Sequence, residues 1–373
     1  MSHKPIRVLL AACLALSIAA PARADKYAAE FLKIPVGARA VGMGGAFSAM
    51  ADDATAPFWN PSGMVFLPYK EAFLQHAEQF GNLVNHNFGS VVWPIASGED
   101  RRSALGATLT WVGVDDILIT PRPGGLKPGD WYDYGTDNDP TTADPDGTQG
   151  NGKWDRGERL LITSDDLFIA SSTDLALTVS FARQRGRHFA WGTLVKFVRQ
   201  SLPDTIPGEH VTSFGAGLDG AVIYMPNDAI TLSAVLHDLT TTYITWSNGP
   251  RETVSPNLVT GSSFQFRPAE DHALTWGLDV AWDFEGRDLD SQLKMGIANA
   301  DVRTGLEYWY RHTLALRSGV NGKDLAFGTG VRYKHFGVDY AASLNRFFAK
   351  NDPDFPDDHN LETSHQLSAS FSW

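Results

Sequence analysis

The sequence is nearly free of cysteine: Cys13 is the only one in 373 residues, and it lies in a leader. A mature chain without cysteine has no disulfide framework, no Cys-based zinc site and no thiol nucleophile. It also suits an oxidising compartment, where stray thiols are hazards. Long apolar runs are missing too. Beyond the leader no stretch approaches the roughly 18 residues of a transmembrane helix, so helical spans are excluded. Positive charge is in deficit, with 31 Lys and Arg against 43 Asp and Glu and a formal net charge of −12. Removing Lys4, Arg7 and Arg23 with the leader takes −12 to −15, which argues against nucleic-acid binding through a basic surface. G-x-S-x-G, H-E-x-x-H and Walker motifs are all absent, and no enzyme is expected. The eleven histidines lack metal-ligand spacing, and His86, His188, His335 and His359 fall at expected turns or loops.

The leader itself is well formed. Lys4 and Arg7 precede the apolar run Val8 to Ala20, and Ala22-Arg23-Ala24 offers a small-x-small cleavage site before Asp25. Residues 1–24 therefore read as a cleaved signal peptide. Leu10-Ala11-Ala12-Cys13 has the form of a lipobox, but the apolar run before Cys13 is very short and the residues after it stay apolar. At the other end, His365 to Trp373 alternates, with Leu367, Ala369, Phe371 and Trp373 on one face. A terminal aromatic after such alternation resembles the signal by which outer-membrane barrels are recognised for assembly. Phe371 and Trp373 would carry it, with the barrel-assembly machinery as partner; the plainer alternative is an ordinary last strand.

Period-2 alternation is the main positive signal. Leu274, Trp276, Leu278, Val280, Trp282 and Phe284 oppose Thr275, Gly277, Asp279, Ala281 and Asp283. Val302, Thr304, Leu306, Tyr308 and Tyr310 oppose Arg303, Gly305, Glu307, Trp309 and Arg311. Alternation of this kind is the lipid-out, lumen-in pattern of a transmembrane strand. Segments of this length with aromatics near their ends exceed the roughly 5–6 residues usual in soluble sheets. The expected strands lie near 70–79, 87–95, 103–114, 166–183, 189–201, 213–225 and 229–237 in the first half of the chain. In the second half they lie near 257–267, 272–284, 301–311, 313–321, 325–334, 336–345 and 364–373. That makes an all-β protein, a closed antiparallel transmembrane barrel of about 14 strands over residues 70–373. Connectors alternate between short, such as Arg311-His312 and Lys334-His335, and long, such as 238–256 and 285–300. Gly322 to Asp324 breaks that alternation. Short periplasmic turns and long outer loops are the expected asymmetry, with lipid around the wall.

Residues 25–69 precede the first strand. The cluster Gly37, Gly42, Gly44 and Gly45 does not form a dinucleotide loop, because Phe47 stands where the last glycine of G-x-G-x-x-G belongs. Close backbone packing and sharp turns are the better use of these glycines. The stretch carries Phe31-Leu32, Gly37-Ala38-Arg39-Ala40, Gly42-Met43-Gly44-Gly45-Ala46-Phe47, Ala51-Asp52-Asp53 and Trp59-Asn60-Pro61-Ser62-Gly63. These residues resemble the opening of PorV/PorQ-type proteins, within the FadL-like outer-membrane barrel superfamily. Gly305 to Val320, Val338 to Asn345 and the closing residues resemble the same group less specifically. The resemblance implies a 14-stranded barrel with an N-terminal hatch folded into the lumen. Arg39, Gly42, Gly44, Gly45, Asp52, Asp53, Asn60, Pro61 and Ser62 would form that hatch, with Ser62 where the group carries alanine. Arg39, Asp52 and Asp53 either pair with lumen groups such as Arg303 or Arg332 and hold the plug, or gate a substrate path.

Residues 115–165 form a long loop dense in Asp, Gly, Asn and Pro, a composition that cannot bury a core. Asp144, Asp146, Asn151, Asp155 and Glu158 offer hard oxygen ligands for Ca²⁺. The run is not an EF-hand, since counting from Asp144 puts Gly147 at position 4 and Asp155 at position 12. A bland solvated turn is the alternative. Trp131, Tyr132, Tyr134 and Trp154 favour some fixed structure. Two functions follow from the resemblance. One is transport of a hydrophobic small molecule across the outer membrane; the other is binding of secreted proteins or surface machinery through the loops.

Overall fold

The computed structural model describes residues 29–79, 83–95, 102–119, 131–137, 139, 141, 147–156, 158–159, 168–203, 210–284, 291–295, 298–322, 324–344 and 363–373. The expected signal peptide, Asp144 and Asp146 lie outside them. The first strands are β1 (Glu71–Gln79), β2 (Val84–Ile95), β3 (Ser103–Ile119), β4 (Phe168–Arg185), β5 (Phe189–Ser201) and β6 (Thr212–Asn227). Next come β7 (Ile230–His237), β8 (Thr242–Trp246), β9 (Arg251–Val254), β10 (Asn257–Ala269), β11 (His272–Asp283) and β12 (Leu293–Met295). The last are β13 (Ala298–Tyr310), β14 (Leu314–Asn321), β15 (Asp324–Tyr333), β16 (Phe336–Leu344) and β17 (Thr363–Ser372).

These strands close on themselves. β1 pairs with β2 on one side and with β17 on the other, in both cases antiparallel. Each barrel strand pairs with its sequence neighbour, except that β10 pairs with β7 and β11 with β13. β8, β9 and β12 therefore stand outside the ring, which has the expected fourteen strands. Closure removes the open edges that would otherwise leave backbone groups unpaired. No helix among the described residues is long and apolar enough to cross a membrane, which says nothing of strands.

The wall inverts the pattern of a soluble protein. Leu74, Val91, Leu105, Leu109, Leu177, Val195, Leu306, Leu316, Phe327, Val338 and Leu367 are exposed on the outside. The intervening positions, such as Ser90, Thr108, Ser180, Ser263 and Gln366, are buried inside. Trp93, Tyr310, Tyr333, Phe336, Phe371 and Trp373 are exposed towards the end with the short turns, where an aromatic girdle belongs. Those turns are tight. Lys334 at φ 53°, and Arg311 and His312 at φ 52° and 50°, take the left-handed conformation that short hairpins demand.

Several boundaries differ from the sequence reading. β2 starts at Val84 rather than residue 87, so His86 is not a solvated turn residue but a fully buried inward one. β3 runs on to Ile119 through a bulge between Val114 and Ile117, where Asp116 has φ 57°. The connector read as 238–256 contains β8 and β9, and that read as 285–300 contains β12. β8 pairs with β6 above the end of β7. β6 advances four positions from Gly220 to Ala216 while its partner advances seven, from Leu236 to Tyr243. The three extra residues form a bulge in which Asp238 and Thr241 have positive φ.

Candidate functional site: the lumen and its N-terminal segment

Residues 29–67 lie against the inner face of the wall. Gly44, at φ 62°, approaches so closely that a Cβ there would stand 2.5 Å from Val320 N of β14. Met43 lies against Gly305 and Gly319 in the same way, and Gly42 against Gly328. Gly45, at φ 73°, faces the Arg303 side chain and the Trp59 ring. On the far side of the lumen, a Cβ at Gly192 of β5 would stand 2.5 Å from Ser62 N. Glycines in the wall thus let a folded segment touch opposite sides of the barrel at backbone distance.

The segment holds its own shape through Asn60. Its Nδ2 donates to Ser48 O at 2.8 Å, and its Oδ1 accepts from Ser62 N at 3.0 Å and Ser62 Oγ at 2.5 Å. Pro61 opens the 3-10 turn Pro61–Phe66, where its missing N–H costs nothing. Asp53 Oδ1 accepts from Thr55 N at 2.9 Å, and Trp59 Nε1 donates to Val36 O at 2.9 Å. Phe47, Phe58, Trp59, Phe73 and Phe88 meet edge to face, with centroids 5.3–6.2 Å apart.

Wall side chains cap the segment's backbone. Asp279 Oδ2 accepts from Phe47 N at 3.1 Å and Ser48 N at 2.9 Å. Glu71 Oε1 accepts from Ala54 N at 3.1 Å, Ser90 Oγ donates to Ala54 O at 2.5 Å, and Gln366 Nε2 donates to Pro35 O at 3.1 Å. Ser48 Oγ lies 2.8 Å from Ser233 Oγ.

A ladder of charges continues into the wall. Arg39 Nε and Nη2 each donate at 2.9 Å to the two oxygens of Glu307. Arg39 Nη1 also binds Asp52 at 2.6 Å and Asp53 at 3.0 Å. Glu307 in turn accepts from Arg317 at 2.7 Å, Arg317 donates to Asp339 at 2.9 Å, and Asp339 accepts from Arg332 at 2.7 Å. Burial disfavours the Arg39 charge, but Asp52, Glu307 and Asp53 outweigh it and raise its pKa well above the ordinary value. The partners differ from those expected: Asp52 and Asp53 pair with Arg39, whose wall partner is Glu307, while Arg332 binds Asp339. Arg303 stands beside Gly45 and Asp279 instead. Glu307, Asp279 and Asp339 all sit in the inward phase of alternating strands. A charge in that phase is the signal that would have marked them.

A second ion cluster braces the bulge above β7. Lys196 Nζ binds Asp219 at 2.9 Å and Asp238 at 2.7 Å, and Asp219 Oδ1 accepts from Asp238 N at 2.8 Å. Thr242 Oγ1 donates to Asp238 Oδ1, tying β8 to the same cluster. At this end an apolar cluster joins Ala29 and Phe31 to Val112, Ala176, Val198, Ile244, Trp246 and Val254.

In the long loop, Glu158 accepts from Gly135 N at 3.1 Å and Asp155 N at 2.8 Å. Asn151 Nδ2 donates to Asp155 Oδ2 at 2.5 Å, and Asp133 accepts from Gly150 N and Gly152 N, both at 2.8 Å. Three of the five expected calcium ligands are therefore engaged in the loop's own hydrogen bonds. No three His, Cys, Asp or Glu side chains gather as a metal site among the described residues. Phe371 and Trp373 stack with centroids 5.8 Å apart, and Trp373 N donates to Lys70 O at 3.0 Å.

Among solved structures, a FadL homologue of Pseudomonas aeruginosa matches with a TM-score of 0.52 and 13% identity, over 91% of this chain and 99% of that one. The fold is that of the FadL-like barrels. The toluene transporter TodX of P. putida gives a TM-score of 0.52 at 12% identity, covering 91% of this chain and 98% of its own. The monoaromatic hydrocarbon channel CymD gives 0.53 at 13%, with the same coverage. No family model matches the sequence, and no curated protein does.

Proposed function

We propose that the protein carries hydrophobic small molecules across the bacterial outer membrane, with residues 29–67 as the hatch of a FadL-like barrel. The observation that carries this reading is a lumen occupied by a segment bonded to the wall at discrete points, beside an apolar cluster at the loop end. A plug held by discrete hydrogen bonds and ion pairs can be released by a ligand that binds the released arrangement better than the docked one. Val198, Ile244 and Trp246, which Phe31 covers, offer an apolar surface to such a ligand once Phe31 is displaced. Similar barrels include a toluene transporter and a monoaromatic hydrocarbon channel, which supports the same substrate class here. In this reading the chain is an integral conduit rather than an enzyme. It is exported with residues 1–24 removed and inserted by the assembly machinery through Phe371 and Trp373.

A second reading follows the PorV/PorQ-type resemblance: a barrel that binds exported proteins or surface machinery. The observation favouring it is the hydrogen-bonded frame that ties Asp133 to Gly152 and Glu158 to Gly135 and Asp155; Ca²⁺ binding at Asp144, Asp146, Asn151, Asp155 and Glu158 would rigidify it further. Deleting the gene and measuring uptake of hydrophobic compounds together with the secreted proteome separates the two. Transport predicts lost uptake and unchanged secretion. Normal uptake with lost secretion overturns it.

A further inference from the structure

Near the loop end of the lumen, one transverse row of inward side chains carries adjacent polar atoms with no partner. Gln200 of β5 stands opposite Ser213 of β6, and Ser213 opposite Trp246 of β8. All three are more than nine-tenths buried, at 7%, 4% and 8% exposure. Gln200 Oε1, Ser213 Oγ and Trp246 Nε1 each lack a hydrogen-bond partner. Opposed residues on antiparallel strands have Cα atoms about 4.5–5.5 Å apart, so the three residues lie at one level on three neighbouring strands, with Ser213 between Gln200 and Trp246. An unsatisfied buried polar atom is costly, and three on one transverse row point to a partner outside the chain. Val198 and Ile244 are the next inward residues on β5 and β8, and with Trp246 they belong to the apolar cluster that Ala29 and Phe31 cover.

We infer that this row is the head-group subsite for the carried molecule: a neutral, largely apolar compound bearing one hydroxyl. The inference rests on the transport reading and narrows its substrate. Gln200 Oε1 only accepts, Trp246 Nε1 only donates, and Ser213 Oγ does either. A hydroxyl is the smallest group that satisfies both kinds of atom. An ether or ketone answers only the donors, and a hydrocarbon answers none. Charge argues against an anion. Asp174 of β4 stands opposite Gln200, whose side chain hydrogen-bonds that carboxylate. Lys196, the nearby cation on β5, is already held by Asp219 and Asp238. The apolar body of the ligand lies on Val198, Ile244 and the Trp246 ring, in the place of Phe31.

The test compares p-cresol with p-xylene, which puts a methyl where the hydroxyl was, by calorimetric titration of the mature barrel in detergent. The wild-type protein binds p-cresol about tenfold or more tightly over p-xylene, as expected where a buried polar site loses its partner. The double variant Gln200→Leu/Ser213→Ala loses that preference while keeping its heat-dependent gel shift. Gln184→Leu, which removes a buried amide at the turn end of β4, keeps the preference. Equal affinity for the two probes, or a preference that survives the double variant, overturns the inference. Stronger binding of p-toluate than of p-cresol overturns its charge argument. If both probes enter cells equally well, the subsite fails and transport stands; if neither binds nor enters, the transport reading fails with it.

Discussion

Arg39 and Glu307, 268 residues apart in sequence, meet through two N–H···O bonds of 2.9 Å each. This fork fixes the helical turn Ala38–Gly42 to β13, and it places one end of a charge ladder on the segment and the other on the wall. Bidentate pairs of this kind carry orientation as well as energy.

Glu307→Gln leaves both Arg39 and Arg317 short of a buried carboxylate. Breaking a buried pair from one side costs about 3–5 kcal/mol; here the cost is shared between docking of the segment through Arg39 and the wall pair with Arg317, which keeps Asp339 as a second partner. Limited proteolysis should then cut within residues 29–67 while the barrel keeps its gel shift. An uncut segment would show that the remaining contacts suffice without the fork.

Gly44 tests the close approach to β14. Gly44→Val combines a left-handed backbone at φ 62° with a Cβ that would meet Val320 N at 2.5 Å. The backbone conformation alone costs about 1–2 kcal/mol, and the clash adds to it. Proteolysis of the segment should accelerate; native-like resistance would place Gly44 elsewhere.

Asn60 and Ser62 should differ sharply. Asn60→Ala removes all three of the side chain's bonds and strands Ser48 O in the interior, a loss of about 1–3 kcal/mol for that group alone. Ser62→Ala removes one hydroxyl bond to an acceptor still served by Ser62 N, and should cost about 1 kcal/mol or less. Thermal denaturation of the two variants in detergent checks the order, and equal losses would contradict it.

Lys196→Met leaves Asp219 and Asp238 without their cation. Hydrogen exchange should speed up at residues 238–246, with the β1–β17 seam unchanged. Exchange that does not change there would show that the bulge is held by backbone pairing alone.

How much of this was legible in the sequence depends on which interaction was being read. Period-2 alternation marks the outward-facing Leu306 and Leu316 directly, so the ring of fourteen strands followed. The partner of Arg39 did not. Glu307 was visible as an inward residue, but choosing it over Arg303 requires the register of β13 against the segment, which no local pattern encodes. β8 and β9 were hidden for another reason. Five residues, Thr242–Trp246, are too few to show a period, and they pair only because the Asp238 bulge turns them back onto β6. His86 was misplaced by a strand that begins three residues early, on Val84-Asn85-His86, where composition suggested a turn.

Whether release of the N-terminal hatch admits the substrate can be read out at Ser48 and Ser233. Their hydroxyl oxygens lie 2.8 Å apart, joining the segment to β7, and Cys13 in the expected leader is the chain's only cysteine. With both replaced by cysteine and oxidised, uptake of p-cresol by cells carrying the variant should fall to the level of cells lacking the protein, and a reductant should restore it. Uptake at the unlocked rate through fully cross-linked protein would contradict the account.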